Sequence, residues 1–193
     1  EHISGIPGDI FINENLDLCS EQDKKAIAKE FVKFNERCFI RLLGDMRSYN
    51  YVIVLTHDFD RIDYRIRAID FDQQSFEGNS KVYKPQFLKE NNKIVNMTID
   101  LLQEESMEQY RNEERSLLAK RASSEFDRLS ELLNCMKNDK LSTPAKIKEL
   151  KVELFNLTKD IQFRRSKNMG EIVSSALDFI KRNYENINPY IIR

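Results

Sequence analysis

Tyr51 to Leu55 (YVIVL) and Tyr64 to Ile69 (YRIRAI) restrict the fold more than any other segments. The first is an apolar β-branched run, the second alternates, and only the acidic stretch THDFDRID separates them. β-branched and aromatic residues suit a pleated, half-buried surface, and two such runs joined by a polar turn read as a β-hairpin. The segments on either side carry helical periodicity instead. The expected fold class is therefore α+β and predominantly α, a helical bundle bearing one hairpin.

The helices are legible from spacing and caps. From Ser20 to Leu43, apolar residues at Ile27, Phe31, Phe34, Cys38 and Leu42 recur three and four apart, with Ser20 placed to cap and Asp23 in the first turn. Gly44 is the expected left-handed residue at the C-terminus of this helix. Gln73 to Pro85 (QQSFEGNSKVYKP) has no sustained period and reads as a loop. Ile94, Thr98, Leu101 and Leu102 then predict one helix. Leu118, Ala122, Phe126, Leu129, Leu132, Leu133 and Met136 predict a single longer one beginning near Glu108. Thr143-Pro144 is a cap followed by proline at the first helical position, with Ile147, Leu150, Leu154, Leu157 and Ile161 behind it. That heptad-like face covers only about two heptads, which suits core packing better than a sustained coiled coil. Gly170 precedes a last helix with Ile172, Val173, Ala176, Ile180 and Tyr184 on one face.

Composition excludes several function classes. A chain of 193 residues can bury an ordinary core and fits one domain or one large lobe of a two-lobed protein. Its 31 Lys and Arg nearly cancel 32 Asp and Glu, so no global field draws nucleic acid or an anionic membrane to it. Cys19, Cys38 and Cys135 are odd in number and far apart, which suits buried thiols in a reducing, cytoplasmic setting better than a disulfide framework, and Cys38 and Cys135, on apolar faces, read as inert core thiols. The two histidines, His2 and His57, and the absence of a Cys-x₂-Cys pair leave no local ligand set for zinc. No apolar run approaches the length of a membrane span.

The hairpin carries the chemistry. An Asp-x₄-Asn pair, Asp45 and Asn50, leads into its first strand, and Asp70 follows its second. Phosphoryl transfer needs a carboxylate that orients a hydroxyl, an amide oxygen a few residues on that holds a metal, and a second carboxylate bridging metal to phosphates. A two-stranded ribbon brings those three positions together at one end.

LLGDMRSYNYVIVL followed by RIRAIDFD resembles the catalytic and metal-binding segments of the protein-kinase-like superfamily, closest to the aminoglycoside and choline phosphotransferase branch. There a His-Gly-Asp-x₄-Asn loop precedes a strand and an Ile-Asp-Phe or Ile-Asp-Trp segment, and EHISGIPGDIF is similar to the family's hinge. Leu43 stands at the position of the family's His. The resemblance implies a C-terminal kinase lobe from the hinge onward, with an N-terminal lobe expected upstream of Glu1. Residues 1–83 would hold the hinge-like segment, the first long helix and the catalytic hairpin, and 84–193 the helical remainder of the same lobe.

It further implies ATP and Mg²⁺ as cofactors and a small-molecule or protein hydroxyl as acceptor. By position, Asp45 would be the catalytic base and Arg47 a charge near the transferred phosphate. Asn50 and Asp70 would be Mg²⁺ ligands, Asp72 a second metal ligand or a solvated turn residue, and Glu1, His2 and Ile3 the hinge contacts to adenine. The alternative is a pseudokinase or helical interaction module.

Other motifs have plainer explanations. His57-Asp58 evokes a metal-dependent phosphohydrolase pair, but that chemistry needs more histidines than the chain has. Asp58, Asp60 and Asp63 lack the Gly and the closing Glu of a calcium loop and read as turn charge. Arg164, Arg165 and Lys167 read as a solvated helix terminus favoured by the dipole.

Overall fold

A computed structural model describes residues 5–59, 61–138, 140 and 142–188. The chain is α+β and predominantly helical, with one small antiparallel sheet of order β1-β2-β3. β1 is Ile6–Pro7, β2 Tyr51–Asp58 and β3 Arg61–Ala68. β2 and β3 pair from Tyr51↔Ala68 to Asp58↔Arg61, so the strands run three residues further into the acidic stretch from each side than the β-branched runs predict. On β3 the alternation of Tyr64, Ile66 and Ala68 extends back to Ile62, and the ladder follows it. His57 is thus an exposed strand residue opposite Ile62 and not part of the turn.

A short α1 (Gly8–Ile10) passes through single turns into α2, Glu21–Ile40. The Ser20 hydroxyl accepts the Asp23 amide, as the cap pattern predicts. Gly44 does not supply the left-handed residue at the far end: Leu42 does, with φ of 49°. Gly44 is required for a different reason, since a Cβ there would lie 2.8 Å from the Gln73 carbonyl, where an isolated bridge pairs Leu43 with Gln74.

The predicted loop from Gln73 holds 3₁₀ turns at Ser80–Tyr83 and Pro85–Phe87, followed by a third at Lys89–Asn91. Next come α3, Asn92–Leu101, and α4, Glu104–Ser124. The single long helix expected from Glu108 is in fact two, because the chain leaves helical geometry at Glu125 before α5, Phe126–Asn138. α6 is Pro144–Thr158, capped by Thr143, and ends with Lys159 left-handed, so Ile161 belongs to the short α7, Ile161–Arg165. α8 is Met169–Tyr184. Leu157 and Ile161, expected in the core, are exposed: Leu157 falls in the last turn of α6, and Ile161 lies beyond the left-handed Lys159, where the helical face is interrupted. Cys38 is buried as expected, and burial pushes its thiol up to about 12. Cys135 is exposed, because α5 turns Leu133 inward instead. No helix among the described residues is long and apolar enough to cross a membrane.

Two cores meet along α2. Its Ile27, Phe31, Phe34 and Cys38 pack with Tyr51, Ile53 and Ile66 of the sheet. Ile40 and Leu42 join Leu150, Leu154, Phe163 and Ile172 in the helical bundle. Gly170 sets the closeness of α8 to α5, since a Cβ on it would lie 2.5 Å from the Lys137 amide nitrogen and 2.7 Å from the Met136 carbonyl carbon. Backbone cannot swing aside as a side chain can. Gly170→Ala is expected to cost about 1–3 kcal/mol, typical of overpacking, read as a lowered melting temperature. An unchanged melt would mean that α5 shifts freely.

Candidate functional site

The site is built from two loops laid side by side. The first, Gly44 to Asn50, leads into β2 and ends in a 3₁₀ turn, Ser48–Asn50. The second, Ile69 to Ser75, leaves β3. Three backbone bonds stitch them: Ile69 N to Asn50 O at 3.1 Å, Ser75 N to Leu42 O at 2.7 Å, and the Leu43–Gln74 bridge. The hairpin register thereby fixes Asp70 one residue beyond the partner of Asn50.

Asp45 holds φ at 55°, a left-handed conformation that aspartate tolerates better than most residues. Its carbonyl accepts the Arg47 amide at 2.8 Å and the Asn50 Nδ2 at 2.7 Å. Asn50 is buried, and its Nδ2 also reaches Asp45 Oδ2 at 3.5 Å. The Asp45 Oδ1 accepts Arg47 Nε at 2.7 Å, and Arg47 Nη1 extends to Glu90 at 3.3 Å. The hydrogen bond to Asp45, then that to Tyr49, hold the Arg47 guanidinium more firmly protonated than usual. Asp70 is half-buried, and its Oδ1 accepts the Asp72 amide at 3.0 Å, while Asp72 itself is exposed. Asp45, Arg47, Asn50 and Asp70 are therefore brought to one end of the hairpin. Glu1, His2 and Ile3 lie outside the described residues.

Two residues that periodicity does not single out shape the first loop. Glu90 anchors Arg47. Asn91 is fully buried and donates to Met46 O at 3.0 Å and Pro85 O at 2.8 Å while accepting the Tyr51 hydroxyl at 2.9 Å. It sits in a polar stretch, KENNK, whose local pattern gives no sign of burial. The Leu43 side chain is buried in the sheet-side core, and the residue joins the loops only through its backbone bridge to Gln74.

Among the described residues, no group of three or more His, Cys, Asp or Glu side chains is disposed to hold a metal ion. Magnesium does not demand one: it keeps several waters and is commonly held by one or two carboxylates together with substrate phosphates. The Asn50 Oδ1 and Asp70 Oδ2 accept no hydrogen bond from another described residue, so two hard oxygens are available at the end of the hairpin. Oxygen donors of this kind suit a hard cation such as Mg²⁺ better than zinc.

A cleft of about 500 Å³ opens elsewhere, between α2, the turn at Pro85–Phe87, α3 and the start of α4, and includes none of these residues. Compared with known proteins, the chain matches no family model, no curated protein and no solved structure.

Proposed function

We propose that the chain is the C-terminal lobe of a kinase-like phosphotransferase, moving the γ-phosphoryl group of ATP to a hydroxyl acceptor. The observation that supports this reading is the double engagement of Asn50. Its side-chain amide bonds Asp45, and its carbonyl accepts the Ile69 amide that leads into Asp70. A merely polar turn has no need to fasten three such residues through one.

In this reading Asp45 is the base that orients the acceptor hydroxyl, its Oδ2 being the oxygen free of Arg47. Arg47 fixes the rotamer of that carboxylate and contributes positive charge beside the transferred group. Asn50 and Asp70 hold Mg²⁺, with Asp72 as a second contributor from the exposed turn; bound there, the ion neutralises charge on the phosphate oxygens. An upstream N-terminal lobe, with Glu1, His2 and Ile3 in the hinge, completes the nucleotide site. The acceptor is a small molecule or a protein side chain.

One observation favours a second reading, an inactive relative or helical interaction module: Asp45 is already ion-paired with Arg47 at 2.7 Å, and Arg47 with Glu90. Thermal denaturation of the full-length protein separates the two. ATP with Mg²⁺ at about a hundred times its Kd is expected to stabilise the protein by about 2.7 kcal/mol. Chelation of the metal, or Asp70→Ala, is expected to abolish the shift. Equal shifts in wild type and Asp70→Ala, or none in either, would favour the interaction module.

A further inference from the structure

The 500 Å³ cleft falls in the size range of small-molecule sites, roughly 300–1,000 Å³, and is amphipathic, with an apolar strip beside a larger set of polar and charged groups. Phe31 and Phe39 of α2, Val95 of α3 and Met107 of α4 supply apolar surface, and Phe87 stands half-exposed at its edge. Its charged groups are unevenly matched. Glu36 is held by Arg115 through both oxygens, at 3.0 and 3.2 Å. Glu108 contacts Arg115 at 3.2 Å and Arg111 at 3.3 Å, and Glu104 contacts Arg111 at 2.6 Å. Every acidic group on the wall is thus engaged by a guanidinium.

Lys84 is the cation left over. Proline at position 85 favours an extended backbone for the residue before it, and Lys84 adopts φ −121°, ψ 100°. Its ammonium lies 4.3 Å from the centroid of the Phe39 ring. It makes no ion pair with any described carboxylate; Glu36 is near enough to favour its charge but is already held by Arg115. Burial pushes the Lys84 pKa down, and Arg115 and Arg111 add to the effect, while Glu36 and the more distant Glu153 of α6 oppose it. Lys84 and Phe39 also border a second hollow of about 310 Å³ on the bundle side, so the ammonium stands at a wall shared by two cavities.

We propose that this cleft binds a small amphipathic monocarboxylate, its acid group on the Lys84 ammonium and its apolar body against Phe39, Val95 and Met107. One unpaired positive charge matches a monoanion. A phosphate dianion would need further donors, and the two guanidiniums that could supply them are committed to Glu36, Glu104 and Glu108. A partly desolvated cation gains more from an anionic partner than an exposed lysine does, because the medium around it screens less. The site lies apart from Asp45, Asn50 and Asp70, so its existence does not depend on the phosphotransferase reading.

Titration of the whole protein with 2-naphthoate, followed by calorimetry and by methyl NMR of Val95 and Met107, tests the proposal. Saturable binding below about 10 mM is expected, with both methyl groups shifted. The neutral analogue 2-naphthalenemethanol and the variant Lys84→Met are each expected to lose at least about tenfold in affinity. Lys84→Arg is expected to retain binding within a few-fold. Met107→Trp, which fills the cleft without touching the cation, is expected to abolish binding and decides the matter if Lys84→Met does not fold. Equal affinity for acid and alcohol, unchanged binding by Lys84→Met or Met107→Trp, or shifts confined to residues outside the cleft would overturn it, as would no binding at all.

Discussion

Arg37→Met is expected to lower the unfolding free energy by about 3–5 kcal/mol, the cost of removing one member of a buried ionic group and stranding the others. Arg37 is buried in the middle of α2, and its Nη2 donates to Glu30 Oε1 at 2.5 Å and to the Ile66 carbonyl at 3.2 Å. Its Nη1 lies 3.1 Å from Glu114 Oε2 on α4. Burial by itself would make the guanidinium easier to deprotonate, but Glu30 and Glu114 outweigh it and hold the charge. Glu30 Oε1 also accepts the Ile66 amide at 2.9 Å, so the same carboxylate ties the helix to β3.

The Arg37–Glu114 contact is an ion pair without an aligned hydrogen bond, and both Glu114 oxygens are buried with no donor. Glu114 therefore depends on Arg37 for its charge compensation, with Arg65 adding only a contact at 3.9 Å. Adding Glu114→Gln to Arg37→Met is expected to recover about 1–2 kcal/mol, because the stranded charge is then gone. The chain has no tryptophan, so urea unfolding is best followed by far-UV circular dichroism. A loss below about 1 kcal/mol for Arg37→Met would show that water reaches the group and that it is a surface-like pair after all.

Asn91→Ala is the second large effect, expected at about 3 kcal/mol, since it strands the Met46 carbonyl and the Tyr51 hydroxyl in the interior and leaves the Pro85 carbonyl with the Leu88 amide alone. Its consequence is local as well as global. Met46 lies between Asp45 and Arg47, so hydrogen exchange of the Arg47 and Asn50 amides is expected to accelerate more than that of β3. Tyr51→Phe removes one bond and leaves Asn91 Oδ1 unpaired, with an expected loss of about 1 kcal/mol and little change in loop exchange. Equal acceleration across the sheet in Asn91→Ala would mean that Asn91 holds the core in general and not the loop.

The parts of the site on the hairpin were legible because strand pairing converts linear order into position. Asp45, Asn50 and Asp70 flank two β-branched runs, and pairing of those runs sets the Asn50 carbonyl against the Ile69 amide, next in the chain to Asp70. The supports of the loop were not legible, because Glu90 and Asn91 lie 43 and 45 residues from the groups they hold, Arg47 and Met46. No local period encodes such a distance. The same holds for Lys84, which reads as an ordinary loop lysine until Phe39, Arg111 and Arg115 from two helices surround it.

Local interactions determined the helix caps at Ser20 and Thr143, the hairpin and the amphipathic faces, since each depends on residues within a turn or two of one another. The break at Glu125 and the exposure of Leu157 and Ile161 were decided by tertiary structure. The buried group around Arg37, the brace at Asn91 and the isolated cation at Lys84 were decided there too. The physical reason is one of range: a charge or amide leaves water only where distant segments close around it, and its stabilising partners are then supplied by those segments and not by its neighbours in the chain.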